Sequence, residues 1–325
     1  MSWRDTPLAG RLGLRLPIIQ APMAGGPSTP ELAAAVSAAG GLGSIAGAML
    51  APHELSAAIS RVRELTDAPF AVNLFAPLPA PSNDRVAQWS RLTGVSRPAA
   101  TPPAFADQLA VVVAARVPVF SFTFGVPPLA GVDAFTIGTA TTVAEAVELE
   151  RAGVRAVVAQ GYEAGGHRGT FREPVDRSLI GTLALVPQIV DAVSVPVIAS
   201  GGVMDGRGIA AALTLGAAAV QLGTAFLACP EAGTAAAHRQ ALAAETTITR
   251  VLTGRHARAV RTPLVERLEA AGLEPPDYPL PRYLSPEPPM LIGQGGPLAR
   301  ALPAAELVAA LAAETEAALA RVHGA

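Results

Sequence analysis

The chain has 325 residues, half of them hydrophobic, 15% charged and 4% aromatic, with a formal charge of −2 and no run of basic side chains. That balance provides no electrostatic footprint for a nucleic-acid backbone, and Gly, Pro or Arg interrupts each apolar stretch before the ~18 residues that suggest a membrane span. The single cysteine, Cys229, rules out an internal disulfide, a Cys-x-x-Cys redox pair and a cysteine-ligated iron–sulfur cluster, and all 24 basic residues are Arg, which rules out Schiff-base aldolase and pyridoxal-phosphate chemistry.

Short apolar segments bounded by Gly, Pro and Asn alternate with helical patterns, as repeated βα units on a parallel sheet require. Strands are predicted at 18–21, 43–46, 70–74, 117–122, 134–138, 156–160, 197–200 and 219–223. Eight parallel strands can close into a (β/α)8 TIM barrel. After the first strand, Ser28-Thr29 before Pro30 and Glu31 places a capping hydroxyl and then Pro at the first helical position, and Gly40-Gly41 ends that helix. Residues 76–103, rich in Pro and Ser, are too long for an ordinary βα loop and are expected to form a lid excursion. The link from Phe122 to Ala134 is short for a parallel crossover, so a shortened connection between strands four and five is expected. The expected organisation is a barrel over 1–230 followed by a helical extension over 231–325 that caps it, ending in an amphipathic helix from Pro303.

The residues that carry chemistry cluster after strands, where barrel enzymes place their sites. Gln20-Ala21-Pro22-Met23-Ala24-Gly25-Gly26 joins a fixed Pro turn to small residues, against which a flat ring can lie. Asn73 and Gln160 end strands three and six with neutral amides that can donate and accept toward a pyrimidine-like edge. The loop 161–169 sets His167 among glycines, which makes it the candidate base. Ser200-Gly201-Gly202 and Gly223-Thr224 end strands seven and eight, where backbone N–H groups, a hydroxyl and a helix N-terminus can hold a phosphate without lysine. The other histidines, His53, His238, His256 and His323, are assigned no chemistry, and Arg250, Arg255, Arg258 and Arg261 read best as a solvated helical face paired with Glu.

At these motifs, above all Gln20-Ala-Pro-Met-Ala-Gly-Gly, Asn73, the segment from Ala159 to Gly169, the segment from Ala199 to Gly208, and Gln221-Leu-Gly-Thr, the chain resembles the nitronate monooxygenase family over nearly its whole length. The resemblance implies FMN held by Ala21, Pro22, Met23, Asn73, Gln160, Gly165, Gly201, Gly202, Gln221, Leu222, Gly223 and Thr224, with His167 beside the flavin ring and no metal. It implies oxidation of a nitronate such as propionate 3-nitronate by O₂ to a carbonyl compound and oxidised nitrogen. The lone cysteine suits a reducing cytoplasm, and a monomer or homodimer is expected. Competing readings are a flavin-dependent enoyl-acyl-carrier-protein reductase driven by a nicotinamide nucleotide, and a flavin-holding barrel without turnover. An IMP-dehydrogenase type of barrel needs a site-loop cysteine, and Cys229 lies beyond strand eight.

Overall fold

A computed structural model describes residues 2–96 and 103–323. Eight parallel strands form the barrel: β1 (Ile18–Gln20), β2 (Gly43–Ala46), β3 (Phe70–Phe75), β4 (Val119–Thr123), β5 (Phe135–Ala140), β6 (Ala156–Gln160), β8 (Val197–Ser200) and β9 (Ala219–Leu222). Their order around the sheet is β1-β9-β8-β6-β5-β4-β3-β2. The ring closes between β1 and β2, where Leu42 pairs with Ile19 and the Gln20 N–H donates to the Leu42 carbonyl at 2.9 Å. All eight predicted strands are present. A two-residue strand, β7 (Gly166–His167), belongs instead to a small antiparallel sheet with β10 (Thr246–Thr249) and β11 (Ala257–Val260).

Successive strand residues face opposite sides of a sheet. One set, Ile19, Ala71, Val119, Ile137, Val158, Ile198 and Ala219, fills the barrel interior, and Leu8 of the short helix α1 (Pro7–Leu12) packs into the same cluster. The adjacent residues Ile18, Val72, Phe120, Val157, Val197 and Val220 face outward, into the larger core beneath the helices. Two positions further along each inward-facing row the side chains become Ala21, Asn73, Ser121, Thr139, Gln160, Ser200 and Gln221, and these line a cavity at the C-terminal mouth of the barrel. Apolar packing thus gives way to a polar floor within one repeat of the pleat.

The wall helices are α2 (Pro30–Ala38), α3 (Pro52–Leu65), α5 (Phe105–Ala114), α6 (Val143–Arg151), α7 (Thr182–Ala192) and α8 (Gly206–Thr214). Thr29 caps α2 by accepting from the Leu32 N–H at 3.0 Å, with Pro30 in the first turn. No helix stands between β4 and β5: residues 124–134 cross directly, and Leu129, Val132 and Ala134 pack against the outer core where a helix would otherwise lie. The expected shortening is therefore a crossover without a helix.

The excursion at 76–103 carries α4 (Val86–Thr93), whose Trp89 is buried among Val251, Leu252, Leu264, Val265 and Leu268 of the later chain. The Ser82 N–H donates to Asp277 and Arg85 donates to the Pro275 carbonyl. The described part of this segment is thus docked onto the extension, and residues 97–102 of the expected lid lie outside the described residues. The extension also departs from its helical expectation, because β-branched Thr246, Thr247, Ile248 and Thr249 make β10 rather than a helix. Its helices are α9 (Ala236–Gln240), α10 (Pro263–Ala270), α11 (Leu280–Tyr283) and α12 (Ala304–His323). The last of these does not lie over the mouth: it packs on α8 and α2, in the place of an eighth wall helix.

Candidate active site

The turn after β1 is held by a buried amide. Gln20 accepts from the Ser44 N–H at 2.7 Å and donates to Ser28 Oγ at 2.9 Å and to the Ala21 carbonyl, while Ser28 Oγ accepts from the Met23 N–H at 2.8 Å. Ala21, Pro22 and Met23 therefore present a fixed edge to the cavity. Ser28 serves this turn, and only Thr29 caps the helix.

The loop after β6 is pinned from four directions. Gln160 donates from Nε2 to the His167 carbonyl at 3.0 Å and accepts at Oε1 from the Gly169 N–H at 2.8 Å, so much of its amide braces the loop rather than standing free for a ligand. The Arg168 guanidinium is buried and donates to the carbonyls of Gly161 at 2.6 Å and Ser178 at 2.7 Å; burial lowers its pKa to about 10, which leaves it charged at neutral pH. Buried Glu145 on α6 accepts from the Phe171 and Arg172 N–H groups, from both donors of Thr141 and from the Thr170 hydroxyl. Finally, β7 pairs with β11, and the Arg168 N–H donates to the His256 carbonyl at 2.9 Å.

These supports set His167 on the cavity wall, half-buried, with the rings of Tyr278, Phe124 and Phe75 edge-on at centroid distances of 5.4, 5.7 and 6.1 Å. Its Nε2 lies 3.0 Å from Thr253 Oγ1, and that hydroxyl also lies 3.0 Å from the Arg255 carbonyl. Both contacts are hydrogen bonds only when the single hydroxyl proton goes to the Arg255 carbonyl and His167 donates from Nε2, the tautomer that leaves a lone pair on Nδ1. Burial, then the positive charges of Arg255 and Arg282, push the imidazole pKa down to about 3. His167 is therefore neutral at physiological pH.

Gly201 and Gly202 follow β8 with φ of +112° and +73°, a backbone that side chains rarely tolerate, and both line the cavity with Gly223 and Thr224. Thr224 Oγ1 accepts from the Gly293 N–H at 2.9 Å, which leaves its proton for a ligand. Gly165 is in such close backbone contact with Gly293 that a Cβ there would lie 2.5 Å from the Gly293 nitrogen. Two expectations need correction. The N-terminus of α8 is not open to a phosphate, because the Asp205 carboxylate already accepts from the Arg207 and Gly208 N–H groups. Leu222 does not line the cavity: it is one residue out of phase with Gln221, so its side chain enters the outer core and only its carbonyl serves the site, accepting from the Ala21 N–H at 2.8 Å. The other predicted positions all reach the cavity wall.

The structure adds residues that sequence reasoning passed over. His238 of α9 lines the cavity with Nε2 3.2 Å from the Leu291 carbonyl, and Ser121 receives the Asn73 amide at 3.0 Å. Tyr278 and Arg282 also line it. The arginines of the 250–261 segment are not a helical face. Arg258 is buried over Tyr162 and Arg255 stacks on Phe124 at 4.0 Å, while Arg250 and Arg261 do pair with Glu274 and Glu266.

A closed parallel barrel with a polar, histidine-bearing cavity at the C-terminal ends of its strands defines the class as a TIM-barrel oxidoreductase once its relatives are considered. The nitronate monooxygenase family matches residues 11–316. A nitronate monooxygenase of Pseudomonas aeruginosa is 44% identical, covering 93% of this chain and 97% of its own, and a probable nitronate monooxygenase of Staphylococcus saprophyticus is 41% identical, covering 86% and 85%. Among solved structures, nitroalkane oxidase from Streptomyces ansochromogenes superposes with a TM-score of 0.90 at 39% identity, covering 97% of this chain and 99% of that one. FabK from Thermotoga maritima gives 0.77 at 29%, covering 98% and 99%. The chain belongs to the nitronate monooxygenase family, a family of flavoenzymes. Among the described residues no helix is long and apolar enough to cross a membrane.

Proposed function

We propose that this protein is an FMN-dependent nitronate monooxygenase that oxidises alkyl nitronates, such as propionate 3-nitronate, with O₂ to a carbonyl compound and nitrite or nitrate. The observation that carries the reading is one cavity with a neutral histidine in an aromatic surround on one wall and left-handed glycine turns at the strand ends. Its volume of about 390 Å³ lies in the range of small-molecule and cofactor sites.

The residues present fit FMN. Gly201, Gly202, Gly223 and Thr224 would hold its phosphate, the Ala21–Pro22–Met23 turn would flank the ring, and Asn73, Gln160 and Gln221 would meet its polar groups; Leu222 would act only through its backbone. Bound FMN would supply the electron acceptor and the oxygen chemistry. His167 would take the substrate's oxygens. A nitronate's negative charge opposes the field of Arg255 and Arg282, so its arrival raises the proton affinity of Nδ1, and a proton can then be held between Nδ1 and a nitronate oxygen. With a neutral nitroalkane the same lone pair could accept the α-proton. The remaining parts of the reading are a cytoplasmic monomer or homodimer divided into a barrel over 1–230 and an extension over 231–325.

The test is a visible spectrum of the purified protein together with oxygen uptake on propionate 3-nitronate, with and without NADH. A yellow protein whose oxygen uptake needs the nitronate and ignores NADH supports the proposal. Anaerobic bleaching by NADH supports the reductase reading instead, a yellow protein inert to nitronates supports a barrel without turnover, and a colourless protein overturns the FMN assignment.

A further inference from the structure

Arg282 sits half-buried on the cavity wall, carried there by α11 of the extension. Other arginines of the extension are engaged: Arg250, Arg261 and Arg300 pair with Glu274, Glu266 and Glu314, and Arg255 and Arg258 donate to the carbonyls of Thr170 and Tyr162. The Arg282 side chain has no ion pair and no hydrogen bond among the described residues. The carboxylate among the cavity's lining side chains belongs to Glu287, which is exposed at its rim. A guanidinium drawn partly out of water without a partner is costly unless an anion joins it.

The fold makes room for this group. A Cβ at Gly25 would collide with the guanidinium, so the glycine of the β1 turn supplies the space that Arg282 fills. The charge of Arg282 is felt at both His167 and Tyr278, which places it at the reacting end of the cavity. The glycine turns that suit a phosphate follow β8 and β9, whereas Arg282 faces the turn after β1.

We propose that Arg282 recognises a carboxylate carried by the substrate and so selects nitronates with a second negative charge over those with a neutral alkyl chain. The planar fork of Arg matches a carboxylate with two parallel N–H donors, whereas a neutral chain leaves the guanidinium unpaired. The substrate class rests on the nitronate reading above; the carboxylate contact itself does not.

The experiment compares wild-type holoenzyme with Arg282→Met and Arg282→Lys. Two quantities are measured: the ratio of kcat/KM for propionate 3-nitronate over propyl-1-nitronate, and calorimetric binding of 3-nitropropionate and 1-nitropropane without turnover. The ratio is expected to exceed ten in the wild type and to fall at least tenfold in Arg282→Met, with Arg282→Lys intermediate because it keeps the charge but not the fork. Binding of 3-nitropropionate should weaken by a similar factor in Arg282→Met. Equal loss on both nitronates, or no change in 3-nitropropionate binding, overturns the proposal. If Arg282→Met fails to fold, a wild-type ratio near one or an unchanged ratio in Arg282→Lys overturns it. A wild type that oxidises neither nitronate yet binds 3-nitropropionate through Arg282 sinks the nitronate reading and leaves the carboxylate site standing.

Discussion

At the scale of single residues, the surroundings of His167 keep its imidazole uncharged at neutral pH, and on the proposed function an arriving nitronate restores its affinity for a proton. Replacing His167 by Asn should lower kcat/KM for nitronates by about 100-fold or more, the usual loss when a positioned acid or base is removed, while FMN content stays at the wild-type level. Retained turnover would show that the histidine is not used. The same depressed pKa has a consequence for stability, with a definite sign. The unfolded chain protonates this imidazole near 6.5 and the folded chain near 3, so the contribution is complete above pH 6.5 and is lost as pH falls toward 3. His238 and His256 are lowered as well, chiefly by burial, and share the effect. In His167→Asn the slope of unfolding free energy against pH, measured by urea titration between pH 6 and 4, should drop by about 1.4 kcal/mol per pH unit, one proton's worth. Gly202 offers a third check. A side chain there would be held at φ +73° with its Cβ 3.3 Å from that of Glu163, so on the proposed function Gly202→Ala should lose FMN on dialysis more readily than the wild type.

Among the elements, the loop from Gly161 to Arg172 owes its shape to groups distant in sequence. Glu145 ties the end of that loop, through the Thr170 hydroxyl and the Phe171 and Arg172 N–H groups, to Thr141 after β5 without touching the cavity, so it is a positioning residue. Glu145→Gln turns an acceptor toward donors into a second donor and should cost about 2–4 kcal/mol in urea unfolding, together with a raised KM. An unchanged KM would mean that the pairing of β7 with β11 suffices to hold the loop. These supports explain what the sequence could and could not reveal. The strands were legible because parallel barrel strands are buried on both faces and read as apolar runs, and His167 stood out among glycines. Leu222 was misread because a motif is contiguous while the pleat admits only alternate residues to the cavity. Tyr278 and Arg282 were passed over because they lie in a Pro-rich stretch with no period, and only the packing of the extension brings them over the barrel mouth. The strand β10 was hidden by the Ala- and Glu-rich residues before it.

At the scale of the whole molecule, the eight-fold wall is completed unevenly. One crossover has no helix, and its place is filled by Leu129, Val132 and Ala134; the last wall position is filled by α12, from the far end of the chain. Ala304, Leu307, Val308 and Leu311 of that helix are buried in the outer core. Truncation before residue 304 should therefore expose apolar surface on α2 and α8 and yield a dye-binding, aggregation-prone chain. A soluble, cooperatively unfolding truncation product would show that α12 is dispensable to the wall.

Gly25 and Gly295 line the same cavity, so its walls come from segments 270 residues apart, one synthesised well before the other. A ribosome delivers the barrel strands well before it delivers Tyr278, Arg282 and Gly293, and α12 comes later still. The wall of the cavity is accordingly complete only once Gly295 has been delivered, however much of the barrel has already formed.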